Sequence, residues 1–504
     1  MTVISLEHTT WPNAIVKIDS EDTGYAYITA PFRDQTETDA HNTSRLLIGV
    51  SSYQRFPEMC TNPHDYDSTR KFDFMNNHAT VNRCVGWLHC LKNQSSIPDY
   101  IPRLLWSESD NTRPDIVQDQ RLEKVYDFVY VCLPGEWNEV CRNKKFASRI
   151  IKHLCASGKR VLWVGRANDE IAHQNLTYKP TQVYHELMKL FGKSRYLLVP
   201  NVLDASPRVI TEALCSNIGI CVNENIAGGW KYVNNQTGVT INEDTFAGKL
   251  MELEKMNLSP RKWYLQHHRA SKIEFVNFIN KLKAQTYNVN EMIEYVLYIN
   301  LAHRTDRKNR LELQLKEYGF TSVQRVDAVL NKKNPHKGCC ASHIKALETA
   351  LTLPGNNMLI LEDDFEFVFD KEVTYSILKH TTSTVSNWDV IKLGANLIEA
   401  ENITASNCIR KVEMSQTSHG YLITKSYVKV LLECFRSCYK NSPEDLYGSK
   451  ITEYALDKAW FPLQRSDNWY ITKPKLGKQY ESYSDIMDGV MNSNSYEDTI
   501  AQNK

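Results

Sequence analysis

Between residues 126 and 222, short apolar runs alternate with helical patterns, and this restricts the first half of the chain to a parallel sheet covered by helices. Residues 126–133 are aromatic and β-branched and stop at Pro134-Gly135. A helical pattern over 143–156 follows, then a strand over 160–165, a helix over 184–191 and a strand over 196–199. A helix over 206–215 and a strand over 219–222 complete the series. Runs that are apolar at nearly every position are what a sheet buried on both faces requires. The fold class expected is α/β.

The second half opens on a strand, Tyr295-Val296-Leu297-Tyr298-Ile299-Asn300-Leu301, followed by the basic turn His303-Arg304-Thr305-Asp306-Arg307. Leu311, Leu315 and Tyr318 then fall at helical spacing. Gly338-Cys339-Cys340-Ala341-Ser342-His343 leads into a helix over 344–353, so Ser342 is expected to cap that helix and turn its N-terminus toward phosphate. The apolar strand Leu359-Ile360-Leu361 runs straight into Glu362-Asp363-Asp364. Carboxylates at the rim of an α/β sheet suit Mg²⁺ or Mn²⁺ holding a diphosphate, because these ions take oxygen ligands. A solvated acidic turn is the alternative for the same three residues. Arg304 and Arg307 stand where a guanidinium grips phosphate bidentately, or where a solvated turn arginine sits. His343 is either part of that phosphate site or a packing histidine.

These blocks together resemble glycosyltransferase family 25, the lipooligosaccharide and collagen galactosyltransferases, over roughly residues 292–490. The family shows a strand with an Asn-Leu…Arg-x-Asp-Arg turn, then Gly-Cys-x-x-Ser-His, then Glu-Asp-Asp, and all three stand here in order. Trp388 to Gly394, Gly420 to Thr424, Asp457 and the Ser484-Asp485-Ile486 run are similar to later segments of the family. The resemblance implies a GT-A-like α/β domain using a nucleotide-sugar donor. It implies Glu362, Asp363 and Asp364 around Mn²⁺ or Mg²⁺, with Arg304, Arg307, Ser342 and His343 on the nucleotide sugar. An inverting transfer needs a carboxylate to deprotonate the acceptor hydroxyl, and Asp457 and Asp485 are the candidates.

The first half carries its own signal. Residues 200–214, Pro-Asn-Val-Leu-Asp-Ala-Ser-Pro-Arg-Val-Ile-Thr-Glu-Ala-Leu, resemble the nucleotide-sugar segment of GT-B glycosyltransferases of family 4. That family places two acids eight positions apart, matched by Asp204 and Glu212, and a Gly-Gly turn, matched by Gly228 and Gly229. The resemblance implies two Rossmann-type domains, Asp204 on the donor sugar and Glu212 on the ribose. Basic side chains replace a metal in such sites, with Arg142, Lys144, Lys145 and Arg166 as candidates. Two departures stand out. Asp204 is shorter than the usual Glu, and residues 1–120 are short for a full domain, with Leu46 to Val50 as the convincing strand and residues 85–91 and 104–106 expected as helix and strand.

A chain of 504 residues exceeds one ordinary core, so three domains are expected, at 1–120, 121–288 and 289–504. With 60 basic against 59 acidic residues there is no basic stripe for nucleic acid. No run approaches the length of a membrane span, and the first residues lack a signal-peptide pattern, so a soluble cytoplasmic protein is expected. The 13 cysteines show no zinc spacing and are expected as reduced thiols. The function expected is sugar transfer from nucleotide-sugar donors to a glycan, glycolipid or glycoprotein acceptor, with both halves active. In one alternative the family 25 domain works alone and the first half docks acceptor. In another the whole chain is a non-catalytic glycan-binding scaffold.

Overall fold

The computed structural model describes residues 15–17, 25–29, 46–50, 84–90, 92, 97–115, 122–133, 135–165, 171–204, 206–445, 454–480, 482–484 and 489–491. The chain divides into two compact units, one of residues Met1–Ile97 and Pro102–Gln285 and one of Pro98–Ile101 and Thr286–Lys504. Arg166 and Asp485 lie outside the described residues.

The first unit begins with a five-stranded sheet in sequential order, β1 (Ile15–Lys17), β2 (Tyr25–Thr29), β3 (Leu46–Val50), β4 (Gly86–His89) and β5 (Arg103–Leu105). All neighbours after the antiparallel β1–β2 pair are parallel. This is a fuller sheet than its short sequence suggests. Residues 86–89 are a buried strand and not a helix, with Gly-Trp-Leu-His buried at successive positions rather than on one helical stripe.

A second sheet of the same unit holds β6 (Tyr126–Val131), β7 (Val161–Gly165), β8 (Leu176–Pro180), β9 (Ser194–Val199), β10 (Gly219–Asn223) and β11 (Gly238–Ile241). Their order is β11-β10-β9-β6-β7-β8 and every pair is parallel. Helices α1 (Glu136–Cys141), α2 (Lys144–Ala156), α3 (Tyr184–Gly192), α4 (Arg208–Cys215), α5 (Phe246–Lys255) and α6 (Pro260–Ala284) connect or flank the strands. The strand period of two splits the core in half. Val129, Leu162, Leu197 and Ile220 face α3 and α4, in a cluster with Phe191, Ile210 and Leu214. Phe128, Tyr130, Trp163 and Leu198 face the other way, against Phe146, Ile150 and Leu154 of α2 and Leu253 of α5. Each such side chain contributes about 1.5–3 kcal/mol through burial. The sheet can close this tightly because Gly165 adopts φ +118° at the end of β7, where a Cβ would lie 2.0 Å from the Cys132 carbonyl.

One polar network ties the segment after β5 into this unit. Asp110, fully buried, accepts hydrogen bonds from the Ser107 N–H at 2.8 Å and the Tyr232 hydroxyl at 2.9 Å. It also contacts His267 Nε2 at 2.7 Å and pairs with the buried Lys231 ammonium. Burial pushes the Asp110 carboxyl up, and the His267 and Lys231 contacts outweigh it and hold the group below its ordinary range. Nearby, the Tyr264 hydroxyl of α6 hydrogen-bonds the Ser109 and Thr112 carbonyls, each at 3.0 Å.

The second unit is built on one mixed sheet of eight strands. In chain order its elements are β12 (Tyr295–Asn300), α7 (Thr305–Glu317), β13 (Val323–Asp327), α8 (Pro335–Thr352), β14 (Asn357–Glu362), β15 (Phe365–Phe367) and α9 (Lys371–Thr384). Then follow β16 (Val390–Lys392), β17 (Asn396–Asn402), β18 (Ile409–Gln416), β19 (Gly420–Thr424), α10 (Lys425–Asn441), α11 (Leu456–Ala459), α12 (Phe461–Ser466), β20 (Trp469–Thr472) and β21 (Gly477–Gln479). A small hairpin of β22 (Ser482–Ser484) and β23 (Gly489–Met491) completes it. The order of the large sheet is β13-β12-β14-β19-β16-β20-β18-β17. Strands β13, β12 and β14 are mutually parallel, β19 runs against both β14 and β16, and β16 and β20 are again parallel. Leu297, Ile299, Met358, Ile360, Tyr421 and Ile423 pack on α8 and α10, through Leu347, Ala350, Val428 and Phe435.

Helix α8 starts earlier than its sequence suggests. Asn334 caps it by accepting the Lys337 N–H at 3.0 Å, and Pro335 occupies the first turn. Ser342 and His343 are therefore two turns inside the helix and do not begin it.

Replacing Asp110 with Ala leaves Lys231 buried without its carboxylate, which costs about 3–5 kcal/mol. The expected reading is a lowered denaturation midpoint for the full chain at unchanged m; a midpoint within error of the parent refutes the assignment.

Candidate active site

Three parallel strands of the second unit end in polar residues at one edge: β12 in Asn300, β14 in Glu362 and β16 in Lys392. Such carboxyl edges are where open α/β sheets bind ligands. Strand β19 runs the other way, so the residues just before it, Thr417, Ser418 and His419, arrive at the same edge. The Glu362 N–H donates to the His419 carbonyl at 2.9 Å and locks that juxtaposition.

The three consecutive acids meet different surroundings. Glu362 accepts the Ser418 hydroxyl at 2.5 Å and lies 3.3 Å from His343 Nε2. Burial raises this carboxyl, and the His343 and Ser418 contacts more than reverse that, leaving it at about 2. Asp363 is held by Arg307 at 2.8 Å and by the Asn300 amide at 2.8 Å. Asn300 is in turn fixed by Arg325, whose Nε donates to its Oδ1 at 2.9 Å. Asp364 is the least satisfied. Its Oδ2 receives only a long contact from Gln479 at 3.4 Å and stands 3.7 Å from Arg307, while Oδ1 is buried with no hydrogen-bond partner. Burial, reinforced by the charges of Glu362 and Asp363 against Arg307, pushes the Asp364 carboxyl up to about 7.

The other sequence candidates fall as follows. Arg304 pairs with Asp306 at 3.2 Å. His343 is fully buried, with Nδ1 3.1 Å from the Tyr421 hydroxyl. The Ser342 hydroxyl donates to the Gly338 carbonyl at 2.8 Å and accepts the Val329 N–H at 2.8 Å, so it serves the helix and its adjoining loop. Asp457, on α11, accepts the Thr417 N–H at 2.7 Å. That bond accompanies a left-handed backbone at Thr417, φ +70°. Residues absent from the sequence-level set complete the edge. Lys392 is fully buried, donates to the Thr417 carbonyl and lies 4.0 Å from the centre of the Trp460 ring. Burial lowers its ammonium to about 7 against the opposing pull of Asp457 and Glu362. His419 is buried and lowered to about 3, by burial and the Lys392 charge, so it is neutral. A lysine ending an apolar strand was the available signal for Lys392; nothing in the local pattern marks His419.

In the first unit, Asp204 pairs with Arg142 and accepts the Asn201 amide at 3.0 Å. Gly228 donates its N–H to the Asp204 carbonyl at 2.9 Å, and Gly229 takes φ +85° against Pro207 and Ile210. Glu212 is half-buried on α4, and Lys145 is exposed on α2. Lys144 contacts Glu139 at 3.4 Å. The start of α4 is engaged by the segment after β5, with the Ser109 N–H on the Ser206 hydroxyl at 3.0 Å and Thr112 against Thr211 at 2.7 Å.

Residues 334–447 match the family model of glycosyltransferase family 25, described as an LPS biosynthesis protein. The second unit carries a glycosyltransferase family 25 segment. The matched glycosyltransferase segment includes β14 with its acids, both helices packed behind them and β19. Similar solved structures include a sucrose-phosphate synthase from Thermosynechococcus elongatus, 9% identical over 50% of this chain and 71% of that one, at a TM-score of 0.38. The pneumococcal O-GlcNAc transferase GtfA in complex with UDP and GlcNAc is 12% identical over 51% of this chain and 56% of that one, at 0.36. No curated protein matches the chain. Among the described residues, no helix is long and apolar enough to cross a membrane, and 12 cysteines are free thiols.

The raised Asp364 carboxyl has a stability consequence. Its folded value, about 7, exceeds the ordinary 3.8, so its contribution to stability is present at low pH and lost as pH rises through 7. Asp364→Asn removes that loss. The variant is expected to be more stable than the parent at pH 8, by up to about 4 kcal/mol, with the gain vanishing near pH 4. Thermal melts of both proteins across that range check it.

Proposed function

We propose that the second unit transfers a sugar from a nucleotide-sugar donor to a hydroxyl of a glycan, glycolipid or glycoprotein acceptor, on a sheet of GT-A type. The orphaned Asp364 oxygen at the carboxyl edge of β14, inside the family 25 segment, carries this reading. A buried carboxylate oxygen without a partner is rare and calls for a ligand. Asp364 fits Mn²⁺ or Mg²⁺, which prefer oxygen donors and substrate phosphates. When bound, such an ion supplies Lewis-acid stabilisation of the leaving diphosphate.

The chain's own residues do the rest. Arg307, rigidly paired to Asp363, presents fixed positive charge beside Asp364, where diphosphate charge would develop. Asp457 is the proposed base for the acceptor hydroxyl. Its carboxylate accepts the Thr417 N–H and stands near the Lys392 side chain. Glu362 organises the site through His343 and Ser418 rather than meeting substrate.

For the first unit, the observations favour acceptor docking over a second transfer site. Asp204 is already neutralised by Arg142, and the start of α4 is occupied by Ser109 and Thr112. Bifunctional transfer would require both to open.

Donor hydrolysis by the purified chain, screened over UDP-, GDP- and dTDP-sugars with Mn²⁺ or EDTA, tests these roles together. One donor is expected to be consumed, with activity lost on chelation. Asp364→Asn should cut turnover by about 10²–10³-fold, since a metal contributes several kcal/mol of transition-state stabilisation. Glu212→Ala should leave the same activity intact. Hydrolysis that survives EDTA and Asp364→Asn but not Glu212→Ala would move the chemistry to the first unit.

A further inference from the structure

Cys339 and His343 lie one turn apart on α8, and Glu362 ends β14, so a helix and a strand carry three different donor types to one point. One ligand atom of each, a thiol sulfur, an imidazole nitrogen and a carboxylate oxygen, lies within 4.8 Å of the other two. We propose that Cys339, His343 and Glu362 bind a thiophilic divalent cation of the zinc class, at a site distinct from the Asp364 oxygen. This inference stands whether or not the second unit transfers sugar.

The donor set decides the class. Sulfur, nitrogen and one carboxylate suit zinc, whereas Mn²⁺ and Mg²⁺ favour all-oxygen shells. Three protein ligands leave a fourth tetrahedral position open to water. Bond lengths to zinc imply ligand-to-ligand edges of roughly 3.3–3.8 Å. The His343–Glu362 pair is already at 3.3 Å, so a modest side-chain rotation at Cys339 is what remains.

A supporting shell is in place. His343 Nδ1 faces the Tyr421 hydroxyl at 3.1 Å, and Ser418 holds Glu362 at 2.5 Å. Outer partners of this kind orient the ligands of metal sites. The acids Glu362, Asp364 and Asp457 surround the Cys339 thiol, so the local field favours a cation, with Lys392 as the opposing charge. On binding, the thiol proton passes to solvent as the sulfur–metal bond forms. The imidazole ligates through Nε2 and keeps its proton on Nδ1, toward the Tyr421 oxygen.

Titration of the full, reduced chain with Co²⁺ as the zinc probe reads the site directly. A thiolate-to-cobalt charge-transfer band in the near ultraviolet is expected, saturating at one ion per chain and displaced by Zn²⁺. Cys339→Ser should abolish the band without changing the metal-free melt. A parent without the band, or a band that survives Cys339→Ser, overturns the proposal. Should that variant not fold, the parent still decides. Zn²⁺ should slow alkylation of the partly exposed Cys339, mapped by peptide mass spectrometry, by at least tenfold, and leave Cys434 unaffected. Equal rates at Cys339 with and without Zn²⁺ refute it.

Discussion

The reversal of one strand organises the second unit. Had β19 run parallel to β14, residues 417–419 would lie at the far end of the sheet from Glu362. Because it runs antiparallel, pairing Leu361 with Gly420, the approach to β19 meets the exit from β14. Thr417, Ser418 and His419 then share an edge with Asn300, Glu362 and Lys392, which end parallel strands. Three contacts of the candidate site descend from that geometry. Ser418 reaches Glu362, Lys392 reaches the Thr417 carbonyl, and Asp457 reaches the Thr417 N–H. Gly420 makes the crossing possible in close quarters, since a Cβ there would lie 2.5 Å from the Phe365 ring.

The two units treat buried charge in opposite ways. Asp110 in the first unit has a partner for both carboxylate oxygens, from a backbone N–H, a hydroxyl, an imidazole and an ammonium. Such a fully satisfied network holds a structure rigid and offers nothing to a ligand. Asp364, whose side chain is 15% exposed, keeps one buried oxygen without a partner. The folded protein bears that cost, and sites that do so are disproportionately sites of binding. By the same measure Asp204, covered by Arg142 and Asn201, looks finished.

Much of this architecture was legible in the residues. The alternation over 126–222 corresponds to β6 through β10, because runs such as Phe128-Val129-Tyr130 leave no solvent-facing position and can only enter a doubly covered sheet. Leu359 to Asp364 was likewise readable as a buried strand ending in acids. What stayed hidden depended on contacts distant in sequence. The three acids look equivalent in a row, yet Arg307, His343 and Gln479 sort them into three roles. The start of α8 was misplaced because Ser342 was read as the helix cap and the run from Gly338 as its approach. In fact that glycine lies inside the helix, where a Cβ would come within 2.7 Å of the Val329 carbonyl. Lys392 was signalled only as a lysine ending an apolar strand, and His419 not at all, because the groups near them, Trp460 and Gly477, come from far along the chain.

Charge balance at the β14 edge gives the site its direction. Four carboxylates, Glu362, Asp363, Asp364 and Asp457, face two basic groups, Arg307 and Lys392. Leaving the imidazoles aside, the cluster carries an excess of two negative charges when all six groups are ionised. Part of that excess is relieved by Asp364, whose carboxyl rises to about 7 and so holds a proton through much of the neutral range. A proton is the weakest way to neutralise such a cluster, since it cancels one charge and leaves the Oδ1 lone pairs without a donor. A divalent cation cancels the whole excess and satisfies that oxygen at once. The same arithmetic explains why Lys392 is tolerated among aromatic rings, where an isolated ammonium would be expelled. It survives because Asp457 and Glu362 repay part of its desolvation. The site's own acids therefore favour uptake of positive charge, which is the charge that the proposed leaving diphosphate needs beside it.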